Sequence, residues 1–364
     1  MKVKIKFPWR FIDSPYYRSL INYPPKDVKF LGVDRSYVKV IDSPKLFTFQ
    51  KRVKTFLRKA IEVIKIPNIT FTISQNADLI HCAHCLLLND LPWVVDVEHY
   101  WTFSASSNIS YSKFGKFIIK KILRKNNCKK ILPWTNAAGS TIKDALKDRE
   151  INRKIEVVYP AIPVPKLRNI KKSRKITLLF IGRYFYPKGG LFVLEVFKKL
   201  KQKYDLRCIV ISLTIPDYLK ERYRNLIEIY NSVSEDVLFD KIYPSSDIFV
   251  YPGFSDTFGF SLLEAMSFGI PIVTVDAFAR KEIVENGRNG FVIERPNNIS
   301  IYRIGEKERK VINEIVEKVS VLIESSSLRR EMGRYGRMLV EKGRFSIKER
   351  NKKLKEIYEE AIRY

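Results

Sequence analysis

Apolar and polar positions alternate in short blocks along the first 165 residues, and two periods can be read from them. Compact apolar or two-residue patterns predict strands at 3–7, 69–73, 79–81, 93–97 and 130–132. Spacing of three and four predicts helices at 46–64, 113–125 and 137–146. Strands that are short apolar runs separated by helices indicate a parallel, doubly wound sheet covered on both faces. A proline-rich stretch, Tyr159-Pro-Ala-Ile-Pro-Val-Pro-Lys, and a charged segment at 168–175 then interrupt the pattern. Neither suits a packed helix or a central strand, so a linker is expected there. Beyond it the alternation restarts, with strands at 177–181, 207–211, 227–230, 248–251, 271–275 and 290–292. Helices are expected between them at 190–201, 216–225, 234–241 and 261–268, and charged helices run from 306 to the end with a break near 342–346. The expected organisation is a Rossmann-like domain at 1–165, a second at 166–345 and a terminal helix at 346–364.

Length supports this division, because 364 residues exceed one ordinary core and fit two. With 45% hydrophobic and 29% charged residues the composition is neither disordered nor fibrous. The longest apolar runs are about six residues, far below the roughly 18–20 that cross a bilayer. The start, Met1-Lys-Val-Lys-Ile-Lys-Phe, alternates charge where a signal peptide would be continuously apolar, so a cytoplasmic location is expected. Four cysteines fit a reducing compartment, and no disulfide is expected. The net charge of +28 points to an anionic partner. It is uneven: residues 1–168 hold 31 bases against 13 acids, and the remainder 36 against 26.

Chemistry concentrates in the second half. In Tyr251-Pro-Gly-Phe-Ser-Asp256-Thr-Phe258-Gly259-Phe260-Ser261-Leu262-Leu-Glu264-Ala-Met-Ser-Phe-Gly269-Ile-Pro271, one acid follows a strand and another rides the next helix. Residues 257–260 open that helix, where unpaired N–H groups and the helix dipole suit an anion. Gly259 lets a ligand approach the backbone. Glu264 interrupts an apolar Leu-Leu-Glu-Ala-Met run, where an idle charge is expensive. A second segment, Leu178-Leu-Phe-Ile-Gly182-Arg183-Tyr-Phe-Tyr-Pro-Lys188-Gly-Gly, ends a buried strand with two cations and glycines, a combination suited to a diphosphate.

Together these residues resemble the retaining, GT-B-fold glycosyltransferases of family 4. Asp256, Phe258-Gly259 and Glu264-Ala-Met-Ser-Phe-Gly269-Ile-Pro271 follow the family's donor signature, with Asp256 where the family usually has Glu. Gly182, Arg183, Lys188 and Gly189 match its Gly-Arg-x4-Lys-Gly. Asp247-Ile-Phe-Val-Tyr-Pro, Glu285-Asn-Gly-Arg-Asn-Gly-Phe-Val and the tail from Phe345-Ser346 through a helix near Tyr358 resemble further parts. The resemblance implies two Rossmann-like domains facing a cleft, with the terminal helix crossing back to the first. It implies that Arg183 and Lys188 bind the diphosphate of a nucleotide sugar, Glu264 its ribose and Asp256 the donor sugar. Gly182 and backbone N–H groups over Phe258, Gly259, Phe260, Ser261 and Leu262 would complete the donor site. The implied reaction is retaining transfer to a hydroxyl of a glycan or glycolipid, without metal or other cofactor. His99, at the end of the 93–97 strand, resembles the family's cleft histidine; the family's glycine-rich loop after the first strand is replaced by Phe7-Pro-Trp-Arg-Phe-Ile-Asp-Ser-Pro.

Other features weigh less. His81-Cys82-Ala-His84-Cys85 has metal-ligand spacing, yet no second ligand pair follows and strand side chains alternate faces, so packing is expected in its place. Asp96-Val-Glu98 reads as structural. Residues 113–130 carry eight bases and no acid around Phe114, Phe117, Ile118, Ile119, Ile122 and Leu123. This basic amphipathic helix suits either an anionic membrane surface or packing on its own sheet. Two rival functions remain: a GT-B phosphorylase-like enzyme, and a basic nucleic-acid-binding protein, for which no recognisable module is present.

Overall fold

The computed structural model describes residues 1–7, 14–33, 66–72, 76–166 and 175–363. The helix expected at 46–64, the loop at 8–13 and most of the charged linker lie outside the described residues. The described residues form two units: those up to Ile162 together with those from Arg344 on, and those from Pro163 to Gly343.

The first unit is built on a five-stranded parallel sheet. Strands β1 (Lys2–Lys6), β2 (Lys29–Leu31), β4 (Leu79–Ala83), β6 (Trp93–Val97) and β7 (Cys128–Pro133) lie in the order β2-β1-β4-β6-β7. A two-stranded parallel pair, β3 (Ile69–Thr70) with β5 (Leu86–Leu87), stands beside it. Every residue of β4 and β6 is buried, His81 and Asp96 included, as in strands covered on both faces. The terminal helix Ile347–Arg363 packs on this unit through Tyr358, whose hydroxyl lies 2.5 Å from His81 Nδ1. Arg350 on the same helix is buried and donates to Ser19 Oγ and the Tyr23 carbonyl, and burial pulls its pKa down to about 10.

The second unit has six parallel strands: β8 (Ile176–Ile181), β9 (Leu206–Ile211), β10 (Glu228–Tyr230), β11 (Ile248–Tyr251), β12 (Ile272–Val275) and β13 (Gly290–Ile293). Their order, β10-β9-β8-β11-β12-β13, reverses direction between β8 and β11. In open parallel sheets the crevice outside the carboxyl ends of the two strands at such a reversal receives the ligand.

Two expectations need correction. The segment at 234–241 is a short helix, Glu235–Val237, followed by a π turn over Leu238–Ile242. Cys82 and Cys85, expected as thiols, form a disulfide. β4 ends at Ala83 and His84 takes a left-handed φ of 53°, so the chain turns back and brings the two Cα atoms to 5.5 Å. The alternating-face argument holds only while the strand continues.

Candidate active site

The residues singled out around 182–188 and 256–264 meet at the β8/β11 reversal of the second unit. β8 ends at Ile181, and Gly182 continues the ladder by donating to the Ile211 carbonyl at 3.0 Å. A Cβ at Gly182 would lie 2.7 Å from Lys188 Cβ, so glycine here allows the Lys188 loop to fold over the strand end. That loop is stitched to the one after β11 by two backbone bonds, Gly253 N–H to the Lys188 carbonyl and Ser255 N–H to the Pro187 carbonyl, both 3.0 Å. The consequence is an ion pair between Lys188 Nζ and Asp256 Oδ1, with both side chains largely buried.

Asp256 also accepts from Tyr251 Oη at 2.6 Å and from Arg280 Nη2 at 3.3 Å. Burial alone would raise its pKa, but the charges of Lys188 and Arg280 outweigh that and hold the carboxyl below its usual range. It is therefore an ionised acid among donors. Burial and the Asp256 charge push the Tyr251 hydroxyl well above its ordinary pKa, so it remains a donor.

Gly259, at φ 89°, starts the helix Phe260–Ser267. A Cβ there would lie 2.8 Å from Asp256 Oδ2 and from Arg280 Nη1, so a larger residue would push apart the acid and its partner. Phe258 is buried, whereas Phe260 and Ser261 are half-buried at the first turn. Leu262 departs from the expectation: it is buried and its N–H donates to the Gly259 carbonyl at 3.0 Å, which spends that donor inside the helix. Glu264, one turn on, accepts from Tyr243 Oη at 2.7 Å. Tyr243 is buried and stacked on Phe268, and burial with the Glu264 charge keeps it protonated. Both acids thus have tyrosine partners, where the sequence suggested that they face ligand alone.

With the geometry of β8, β11 and their loops in view, the comparison with known families is specific. Residues 165–338 match the family model for glycosyl transferases group 1. The matched span contains the whole Lys188–Asp256–Glu264 site. The chain is 25% identical over 303 residues to an uncharacterized glycosyltransferase of Haemophilus influenzae, covering 81% of this chain and 78% of that protein. It is 26% identical over 254 residues to CapM of Staphylococcus aureus, a capsular polysaccharide biosynthesis glycosyltransferase, covering 67% and 59%. The structure of HepE from Anabaena in complex with UDP superposes with a TM-score of 0.62 at 16% identity, covering 99% of this chain and all of that one. The fold is of the GT-B class, with two Rossmann-like units.

Arg280 is the residue of the group 1 region that sequence reasoning missed. It is fully buried and donates to the carbonyls of Phe258 (2.7 Å), Asp256 (3.1 Å) and Gly253 (3.2 Å), and its guanidinium lies 5.3 Å from the Tyr251 ring centre. Its only sequence signal is position, just past the end of β12 beside the acid-bearing strand. Glu285-Asn-Gly-Arg-Asn-Gly is by contrast a structural turn. Asn289 is buried and bridges Ile283 and Glu285, and a Cβ at Gly290 would strike the β12 backbone at Ile272.

His99 belongs to the first unit, two residues past β6. Burial lowers its pKa to about 4, so the ring is neutral near pH 7. Its Nδ1 accepts from Trp101 N–H at 3.3 Å, which assigns the ring proton to Nε2 and makes that atom a donor. Among the described residues, no group of three or more His, Cys, Asp or Glu is placed to hold a metal ion.

Proposed function

We propose that this chain is a retaining glycosyltransferase that moves a sugar from a nucleoside diphosphate sugar to a hydroxyl of a glycan or glycolipid. The observation that carries the reading is the Lys188–Asp256 pair at the β8/β11 reversal. In it a cation stands where a diphosphate would lie, held by an acid that Arg280 and Tyr251 position. Arg183, which follows the same strand end, would supply the second cation; its carbonyl is held by Thr214 Oγ1 at 3.3 Å. Glu264 would take the ribose hydroxyls, and Asp256 a hydroxyl of the donor sugar once the diphosphate draws Lys188 away.

In the reaction the acceptor oxygen bonds to the anomeric carbon on the face that the diphosphate leaves. The bond from that carbon to the diphosphate oxygen breaks, and that oxygen takes the acceptor proton. Lys188 and Arg183 offset the charge developing on the leaving group, which is the main catalytic contribution expected of the protein. With Lys188 and Arg183 supplying the positive charge there, no metal is assigned a role. The complex of HepE with UDP favours uridine nucleotides, and the name of CapM favours a polysaccharide acceptor. The test is a screen of UDP-sugars for release of nucleoside diphosphate, with and without a chelator, followed by the anomeric configuration of the product. Release of nucleoside diphosphate and a retained anomer are expected. Release of inorganic phosphate in place of the nucleotide would favour a phosphorylase-like reaction, and an inverted anomer would remove the mechanism.

We also propose that the first unit meets an anionic membrane surface. Helix Lys113–Leu123 divides its apolar residues: Ile119, Ile122 and Leu123 are core, whereas Phe114 and Phe117 are 56% and 62% exposed. Lys113, Lys121 and Lys125 are exposed around them, while Lys120 and Arg124 are engaged by Asp148. Packing on its own sheet and an outward basic, aromatic face are thus both properties of one helix. Each lysine near an anionic surface contributes about 1 kcal/mol. Co-sedimentation with phosphatidylglycerol vesicles at low salt should exceed that with phosphatidylcholine. It should weaken with salt and be lost on changing Phe114 and Phe117 to Ser with Lys113, Lys121 and Lys125 to Glu. Equal partitioning onto both vesicles would remove the proposal.

A further inference from the structure

A π turn stands where the sequence predicts a plain helix at 234–241. After Glu235–Val237 the chain turns over Leu238–Ile242, and the Tyr243 N–H closes the turn on the Leu238 carbonyl. Such turns are rare and gather at functional sites, and the extra residue changes the direction of the side chains after it. The next turn is fixed as well: Ser246 N–H donates to the Tyr243 carbonyl at 3.0 Å and Ser246 Oγ to the Ile242 carbonyl at 2.7 Å. Between these two turns Tyr243 is fully buried.

Phenylalanines hold its ring: Phe268 lies nearly parallel to it at 5.2 Å and 12°, Phe239 meets it edge-on at 5.6 Å, and Phe249 of β11 stands 6.5 Å away. One more phenylalanine would satisfy that box, so packing alone gives no reason for a hydroxyl. A buried hydroxyl costs free energy unless it is bonded, and this one donates to Glu264 Oε2 at 2.7 Å. The bond has one direction, since Tyr243 keeps its proton. Glu264 is half-buried on a helix whose neighbouring residues Leu262, Leu263, Ala265 and Met266 are buried. Its side chain has several rotamers to lose, and a phenol on a rigidly held ring fixes one of them before any ligand arrives. A carboxylate has about four lone-pair positions, of which Tyr243 takes one.

We propose that Tyr243 is a positioning residue that aims Glu264 at the 2′- and 3′-hydroxyls of a nucleotide, so that this site selects ribonucleotides over deoxyribonucleotides. The inference rests on the proposed role of Glu264 at the ribose, and adds the group that holds it and the selectivity that follows. Two neighbouring hydroxyls can each donate to a carboxylate whose plane is fixed. Removing the 2′-hydroxyl leaves an acceptor in a half-buried place without its donor, and a site built to bond a hydroxyl rejects the analogue that lacks it. A carboxylate free to rotate loses much of that discrimination, because it turns to the remaining hydroxyl or to water.

The experiment is calorimetric titration of the full chain with UDP, GDP and ADP and with the 2′-deoxy form of each, which needs no acceptor. The parent should bind at least one ribonucleotide about tenfold or more tightly than its deoxy form, the scale of one hydrogen bond to a charged group. Tyr243→Phe keeps the ring among its phenylalanines and removes the donor, so the preference should fall to about threefold or less. Glu264→Ala should lose the preference, and adding Tyr243→Phe to it should change the preference no further, as two residues acting through one contact require. Because a ratio of affinities is read on the folded molecules alone, a lower melting temperature does not disguise the result. Parental preference in Tyr243→Phe, with the preference lost in Glu264→Ala, would overturn the proposal and leave Glu264 at the ribose. Equal loss of both affinities in Tyr243→Phe would make the tyrosine structural and overturn it too. A parent without ribose preference would remove Glu264 from the ribose, and this inference with it. If no nucleoside diphosphate binds, the donor reading itself fails.

Discussion

Changing Lys188 to alanine is expected to lower sugar transfer by roughly two orders of magnitude or more, the scale for deleting one preorganised charge-stabilising group. The folded state should survive the change. Asp256 keeps Arg280 and Tyr251 as partners when Lys188 is gone, and the backbone bonds between the two loops do not use the lysine side chain. The loss should therefore appear in kcat rather than in expression or melting temperature. Lys188→Arg should not restore it, because a planar guanidinium does not reproduce the compact ammonium that pairs with Asp256 Oδ1. Arg183→Ala should lose rate on the same scale if both cations face the leaving diphosphate. A Lys188→Ala enzyme with parental kcat and nucleotide affinity would reduce the Lys188–Asp256 pair to a structural ion pair.

The parts of this site that could be read in advance are those where side-chain chemistry is unusual for its place. Strands such as Trp93–Val97 and Ile248–Tyr251, and helix Gly190–Lys201, have the expected bounds because a mainly apolar pattern gives way there to polar or turn-forming residues. Elements lacking that contrast escaped: helix Pro15–Asn22, the three-residue edge strand Lys29–Leu31, and Leu86–Leu87, which pairs with another two-residue strand. Lys188 and Asp256 stood out as charges at strand ends. Arg280 did not, because most of its partners are backbone carbonyls, and every residue has one. The disulfide was hidden by a turn at His84 that no glycine announces, and the bonds that Asp96 accepts from Tyr17 and Trp134 by their distance along the chain. Long-range polar partners leave almost no local pattern.

For that reason the Arg280 variants test what the sequence could not reveal. Arg280→Met and Arg280→Lys should each cost about 3–5 kcal/mol of stability, the range for breaking a buried charge network by removing one partner. Methionine fills much of the volume but leaves the carbonyls of Gly253, Asp256 and Phe258 without their donor. Lysine keeps the charge but cannot reproduce a fork whose two ends reach Phe258 and Gly253. Acid sensitivity supplies an independent readout. Because Lys188 and Arg280 depress the Asp256 pKa, the stability this acid contributes is complete above the ordinary carboxylate pKa of about 3.9 and is lost as pH falls through the lower folded value. In Arg280→Met the folded pKa rises towards the ordinary value, so its contribution to acid destabilisation should shrink, and denaturant melts at a series of acidic pH values would measure the change in slope. Activity per folded molecule should fall at least about tenfold, since the acid loop would lose the donors that fix Asp256 opposite Lys188. A methionine variant with the parental melting temperature, acid profile and kcat/KM would show that the loop after β11 holds its shape without Arg280.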